Sequence, residues 1–85
     1  MKTNKNNKNS KLIYENKENN IKLYVNLNDG YNYNFSVYFM NFENDFFGFQ
    51  DFNKDWNFKL MSKFDHDSIS NIMTNYYYDG IPENL

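Results

Sequence analysis

The sequence predicts a small α+β protein: a curled antiparallel β-sheet of three to five strands in a hairpin meander, with one C-terminal α-helix packed on one face. Three observations predict this class. Apolar and polar residues alternate on both sides of a turn at Asn28-Asp29-Gly30, which is typical of two paired strands. An apolar stripe with helical spacing follows near the C-terminus. The chain has 85 residues, enough for one domain.

The hairpin covers residues 21–42, and the alternation predicts its loop length. A two-residue loop at Asp29-Gly30 would set the apolar face of one strand against the polar face of the other. A three-residue loop over residues 28–30 keeps the apolar residues together and places Gly30 where a bulged turn needs a positive φ. We therefore predict the pairs Leu27 with Tyr31, Val25 with Tyr33, Leu23 with Phe35 and Ile21 with Val37.

Shorter signals predict the elements on either side of the hairpin. Residues 11–15 are expected to form an edge strand or the first turn of a helix, and residues 16–20 a polar turn. The polar residues at 43–45 and 53–55 predict two more turns. They would enclose a third strand at 46–52, with a bulge at Gly48.

The stretch after the third turn has two interpretations. Alternation predicts a fourth strand at 56–61, with Trp56, Phe58 and Leu60 on one face. A helix stays open as the alternative for residues 52–64, because apolar residues recur there every four positions. The abundance of Asn and Asp, which are poor in helix interiors, favours the strand.

The C-terminal helix is predicted from His66 to Tyr78. Asp65 or Asp67 can cap its beginning, and Gly80 followed by Pro82 marks its end. Its apolar stripe should pack on the sheet and consists of Ile69, Ile72, Met73 and Tyr76.

After the hairpin, the apolar residues occupy even-numbered positions instead of odd-numbered ones. Odd-numbered residues are apolar up to Phe39, whereas even-numbered ones are apolar from Tyr38 onward. One helix covers only one face of a sheet. Either a bulge near Gly48 or the turn at 43–45 exchanges the faces, or a second aromatic face contacts another molecule, for example in a homodimer. The even-numbered residues are Tyr38, Met40, Phe42, Phe46, Phe52, Trp56, Phe58 and Leu60.

Aromatic content and charge are the unusual features of the composition. Nine Phe, eight Tyr and one Trp make up 21% of the chain, and buried rings can stabilise a core this small. Residues 1–22 hold six Lys and two Glu, a net charge of +4, whereas residues 23–85 hold three Lys and nine carboxylates, a net charge of −6. We expect a disordered Lys/Asn-rich arm at 1–10 and a single acidic domain at 11–85.

Several function classes are excluded or disfavoured by composition. Without cysteine there are no disulfides or thiolate metal sites. No apolar run approaches the roughly 20 residues of a membrane span, and the N-terminus lacks the apolar segment of a signal peptide, so we predict a cytoplasmic protein. Residues encoded by AT-rich codons dominate, which indicates a low-GC bacterium, its phage or another mobile element.

No motif predicts catalysis. Asp65-His66-Asp67 joins the one histidine to two carboxylates, but neighbours at a helix start point in different directions, and helix capping explains them better than a metal site. The carboxylate pairs Glu43/Asp45 and Asp51/Asp55 lie in predicted turns on a body too small for a substrate cleft of the usual volume. We predict a protein that is not an enzyme and has no metal or cofactor.

An acidic surface with aromatic anchors predicts a basic partner. Carboxylates on rigid turns can occupy a positive groove that otherwise holds nucleic acid, as an inhibitor of a host protein does. By analogy of size, charge and inferred origin, the most specific form of this inhibitor hypothesis is an anti-CRISPR protein that acts on a CRISPR effector. The predicted contact residues are Tyr24, Tyr38, Glu43, Asp45, Phe46, Asp51, Asp55 and Trp56. Tyr77 and Tyr78 form a second predicted patch, suited to a subunit contact.

Two alternatives stay open. Single-stranded nucleic acid could stack on Tyr24, Tyr33 and Tyr38 and be attracted by the Lys-rich arm, although the acidic body disfavours phosphate contacts. A structural or assembly subunit of a virion or toxin system is the third class.

Overall fold

The computed structural model describes residues 9–29 and 32–85. Four antiparallel strands form one open sheet in the order β1-β2-β3-β4, followed by two helices. This arrangement confirms the predicted α+β class with a C-terminal helix. The elements are β1 Ser10–Asn16, β2 Ile21–Asp29, β3 Asn32–Phe39, β4 Phe42–Phe46, α1 Phe49–Lys54 and α2 Lys63–Asp79, with single 3-10 turns at Lys17–Asn19 and Phe58–Leu60.

The core lies between the odd-numbered face of the hairpin and the two helices. Ring contacts join the sheet to the helices, with centroids 5.6 Å apart for Phe35 and Tyr76 and 5.4 Å apart for Phe46 and Phe52. Such edge-to-face contacts add to the gain from burial. The buried apolar residues are Ile21, Leu23, Val25, Phe35, Val37, Phe39, Phe46, Phe52, Phe58, Met61, Ile69, Met73 and Tyr76.

The predicted hairpin register is wrong by two residues, although the predicted apolar face is right. Leu27 pairs with Tyr33, Val25 with Phe35, Leu23 with Val37 and Ile21 with Phe39, and the pairing is irregular between Leu27 and Asp29. A shift by two leaves every side chain on its own face, so alternation cannot distinguish the two registers. Gly30, with its predicted positive φ, lies outside the described residues.

The exchange of faces occurs at residues 40 and 41, and neither at Gly48 nor at the predicted turn over 43–45. Phe39 pairs with Phe42 across this two-residue turn, in which Met40 has a φ of 57°. Paired residues lie on the same face, so the turn transfers the core face from odd to even numbers. Phe46, Phe52 and Phe58 therefore belong to the same core as the hairpin.

The predicted third and fourth strands are wrong. Residues 43–45, predicted as a turn, lie within the edge strand β4, whose carboxylates are compatible with an edge exposed to solvent. Gly48 precedes α1 in extended backbone rather than forming a bulge. Residues 56–61 contain a 3-10 turn instead of a strand, so the helical alternative for 52–64 is closer to the structure.

Helix α2 begins three residues before the predicted start, and its cap is Ser62 rather than Asp65 or Asp67. The Ser62 hydroxyl accepts a bond from the Asp65 N–H at 3.2 Å and donates to the Asp65 carboxylate at 2.8 Å, which resembles a capping box. None of the helices within 9–29 and 32–85 has the length and apolar character needed to cross a bilayer.

Candidate interaction surface

Asp65 ties α2 to the beginning of the chain. The carboxylate is fully buried and accepts bonds from the Tyr14 hydroxyl at 2.7 Å and from the Asn16, Asn19 and Ser62 side chains at 2.8 Å each. Burial raises the pKa of Asp65, but the four donors outweigh it and lower the pKa to about 2. Asp65 therefore acts as a structural anion that holds β1 and the following turn against α2.

His66 packs against the core through its ring. Its ring stacks on Phe52 with centroids 4.5 Å apart. Burial lowers the pKa of His66, and the charges of Lys59 and Lys63 lower it further. The charge of Asp67 raises it. Throughout the described part of the chain, no three His, Cys, Asp or Glu residues are grouped so that they could hold a metal ion.

The sheet face opposite the helices is polar and contains a chain of hydrogen bonds across all four strands. The Ser10 hydroxyl donates to the Asn26 side-chain oxygen Oδ1 at 2.7 Å, and the Asn26 side-chain amide Nδ2 donates to the Ser36 hydroxyl at 2.8 Å. The Ser36 hydroxyl in turn donates to Asp45 at 2.7 Å. Asn26 and Ser36 are buried by their neighbours. This order of donors ends on Asp45 Oδ1 at the β4 edge.

Tyr24 and Tyr38 lie side by side on this polar face. Their ring centroids are 5.6 Å apart, and the Tyr38 hydroxyl donates to Glu43 at 3.1 Å. A shallow groove of about 290 Å³ runs beside them, lined also by Asn20, Lys22 and Met40. The structure thus brings Tyr24, Tyr38, Glu43 and Asp45 together, as the sequence predicted for contact residues. Tyr33 is on the other face, where its hydroxyl donates to the Tyr76 carbonyl.

Asp51 and Asp55 lie on or next to α1, and hydrogen bonds tie Asp55 to β4 and Asp51 to Phe47, the residue that follows β4. Asp51 accepts a bond from the Phe47 N–H at 3.0 Å, and Asp55 accepts one from the Asn44 amide at 2.9 Å. Asp55 also accepts the Asn57 N–H at 2.8 Å. We call Glu43, Asp45, Asp51 and Asp55 the β4 rim. All four carboxylates lie on or close to the edge strand β4, with Glu43 and Asp45 on its polar face and Asp55 bonded to Asn44 on its other face.

Two predicted aromatic anchors have different environments. Phe46 is 5% exposed and packs on Phe52 and Phe58, so its prediction as a contact residue is wrong: the parity exchange at residue 40 turns it into the core. Trp56 is 78% exposed, and the Lys59 ammonium lies 4.9 Å from its ring centroid.

The predicted patch at Tyr77 and Tyr78 is larger than the sequence indicated. Both tyrosines are exposed on the last turns of α2, and Tyr77 contacts Phe49 with centroids 5.7 Å apart. Phe47, 83% exposed, adds to this surface. The adjacent pair Phe46-Phe47 was the available signal, because successive strand residues point to opposite faces and only one of the two can enter the core.

This surface presents carboxylates, tyrosine hydroxyls and exposed rings. Such groups attract cations and basic proteins, whereas His66 and Asp65 are engaged in packing and hydrogen bonds within the fold. No protein-family model, curated protein or solved structure matches this chain.

Proposed function

We propose that this protein is a non-enzymatic interaction protein that binds a basic surface of a partner protein through the β4 rim. The observation that carries the proposal is the gathering of Glu43, Asp45, Asp51 and Asp55 along one edge of the sheet and the helix after it. Two of these carboxylates are fixed by backbone N–H groups, so little side-chain freedom is lost on binding.

The sharpest form of the proposal is an inhibitor that occupies the nucleic-acid site of a host protein, as an anti-CRISPR protein does with a CRISPR effector. Residues 23–85 carry a net charge of −6, which attracts a positively charged groove and raises the association rate. The exposed rings beside the rim supply the apolar contact area that such an interface needs. The dominance of amino acids that AT-rich codons encode agrees with a phage or mobile-element origin.

One observation favours a second candidate, a single-stranded nucleic-acid binder. Tyr24 and Tyr38 lie 5.6 Å apart on an open sheet face, and Lys22 lines the groove beside them. Glu43 and Asp45 on the same face oppose phosphate contacts. Binding of labelled single-stranded DNA or RNA by the isolated protein at low salt discriminates this candidate from the first.

Neutralising Asp51 and Asp55, the two rim carboxylates that accept bonds from backbone N–H groups, should slow association with the partner. The double variant Asp51→Asn/Asp55→Asn keeps side-chain oxygens that can accept the bonds from the backbone, while it removes two negative charges. We expect an association rate lower on the order of fivefold at low salt, with a smaller difference at high salt. The partner is first captured from host lysate with the tagged protein. The association rate of each variant with that partner is then measured by surface-based binding kinetics.

The matched control removes two charges elsewhere. Glu15 and Glu18 lie on and after β1, at the opposite edge of the sheet, and both are exposed. Glu15→Gln/Glu18→Gln should associate at nearly the wild-type rate. Equal slowing by both double variants would show that only net charge matters and would overturn the assignment of the rim.

A further inference from the structure

We infer that the cleft between the beginning of α1 and the end of α2 binds a cationic side chain, a lysine ammonium or an arginine guanidinium. This inference rests on the proposed function and names how the basic partner is held. The cleft has a volume of about 160 Å³ and is lined by Phe47, Gly48, Phe49, Gln50, Asp51 and Tyr77. We call it the aromatic cleft.

Three of the six residues that line the cleft are aromatic. Phe49 and Tyr77 meet edge to face at 5.7 Å, and Tyr78 packs on Tyr77 at 4.9 Å. Phe47 and Tyr77 are 83% and 67% exposed, so the cleft is open to a partner. The faces of such rings attract cations electrostatically, more strongly once water is displaced.

Fixed negative charge lies next to the rings. Asp51 uses Oδ2 to accept the Phe47 N–H at 3.0 Å, which leaves Oδ1 as the oxygen for a ligand. Tyr77 lies two residues before the end of α2 at Asp79, and carbonyl groups at a helix C-terminus carry partial negative charge. The beginning of α1, which would favour an anion, already holds Asp51 in its first turn.

The same interaction occurs elsewhere in this protein. Lys59 places its ammonium 4.9 Å from the centroid of the Trp56 ring. The Trp56 ring therefore already contacts a cation of the chain itself, whereas the aromatic cleft combines rings with a carboxylate. The aromatic cleft is therefore a better binding site than Trp56 for a cation of a partner.

Size and charge select this occupant over two others. A volume of about 160 Å³ lies below the roughly 300 Å³ at which small-molecule sites begin, which suits the end of one side chain. A second copy of this protein has a net charge of −2, and its residues 23–85, with −6, would be repelled by the same residues of the first. A proline-rich segment would fill an aromatic groove but would leave Asp51 without a counter-charge.

The test is an NMR titration of the full chain with butylammonium and methylguanidinium, with butanol as the uncharged probe, all at constant ionic strength. We expect saturable shifts of the Phe47, Gly48 and Tyr77 amide signals with the two cations and much weaker ones with butanol. Tyr77→Leu and Asp51→Asn should each weaken the cation affinity at least threefold. Phe64→Leu, at a ring that is 72% exposed outside the cleft, should leave it unchanged.

Three results would overturn the inference. Equal shifts with butanol would show an apolar groove, which a proline-rich segment could fill. Shifts that depend on protein concentration without ligand would assign the cleft to a second copy. Shifts spread evenly over all carboxylates would show unspecific cation attraction. If the cleft does not bind the cations while Asp51→Asn/Asp55→Asn still slows partner association, the proposed function stands without cation binding at the aromatic cleft.

Discussion

Asp65→Ala should lower the free energy of unfolding by about 3 kcal/mol, because it removes a buried carboxylate that accepts four side-chain hydrogen bonds. The Tyr14 hydroxyl and the amides of Asn16 and Asn19 all donate to this carboxylate. A domain of this size has a total stability on the order of 5 to 10 kcal/mol, so the loss is a large fraction. Urea unfolding followed by circular dichroism measures it.

The pH dependence gives the Asp65 prediction a second readout. The pKa of Asp65 is about 2 in the fold, below its ordinary value of 3.8. Its contribution is therefore fully present above pH 3.8 and is lost as the pH falls toward 2. In the alanine variant this part of the acid sensitivity should disappear.

Asp67→Ala is the control for Asp65, two residues away on the same helix. Asp67 forms an exposed ion pair with Lys63 at 2.9 Å, and such surface pairs contribute little to stability. We expect a change below about 0.5 kcal/mol. Equal effects of the two substitutions would contradict the structural role assigned to Asp65.

Phe52→Ala should destabilise the fold by about 3 to 5 kcal/mol, which is the cost of removing a fully buried ring. Phe52 has no exposed surface and contacts Phe46, Phe58 and His66. It joins α1 to β4 and to the helix α2, so its loss should loosen the support of the β4 rim as well. Thermal and urea unfolding measure the effect.

The control for Phe52 is Phe64→Ala, since Phe64 is 72% exposed at the beginning of α2. Its removal should change stability by less than about 0.5 kcal/mol. A small effect at Phe52 would mean that the segment 49–60 does not pack on the sheet, and the assignment of residues 49–54 to a core helix would be wrong.

The hairpin and the last helix were predictable because each has one strong period. The alternation of apolar and polar residues indicates which face of residues 21–39 packs in the core. The spacing of Ile69, Met73 and Tyr76 indicates α2. The register was not predictable, since two registers that differ by two residues bury the same side chains. The cap at Ser62 was missed because Asp65, the obvious candidate, is used in tertiary hydrogen bonds.

Residues 42–64 could not be predicted from local patterns. Glu43, Asn44 and Asp45 look like a turn by composition, yet an edge strand can expose all three. Phe52 and Phe58 are six residues apart, a spacing that fits one face of a strand but not one face of a helix, yet they lie in two separate short helical elements. Their burial together depends on a tight turn at Met40-Asn41 that has no glycine, where Met40 has a positive φ.

The sequence indicated some residues of the proposed contact surface and missed others. Charge counting identified the carboxylates of the β4 rim, and their gathering follows from β4 and α1, which the sequence did not predict. Phe46 was assigned to the surface because its strand was placed wrongly. Phe47 and Phe49 were missed because two elements distant in sequence, α1 and the end of α2, form the aromatic cleft together.

The most direct test is competition between this protein and nucleic acid for the captured partner. Fluorescence anisotropy of labelled nucleic acid bound to the partner is measured while this protein is added, and the same label is titrated alone at low salt. The account predicts that the anisotropy falls to the value of free nucleic acid and that the label alone shows no binding. Nucleic acid that stays on a partner saturated with this protein, or that binds this protein directly, would contradict it.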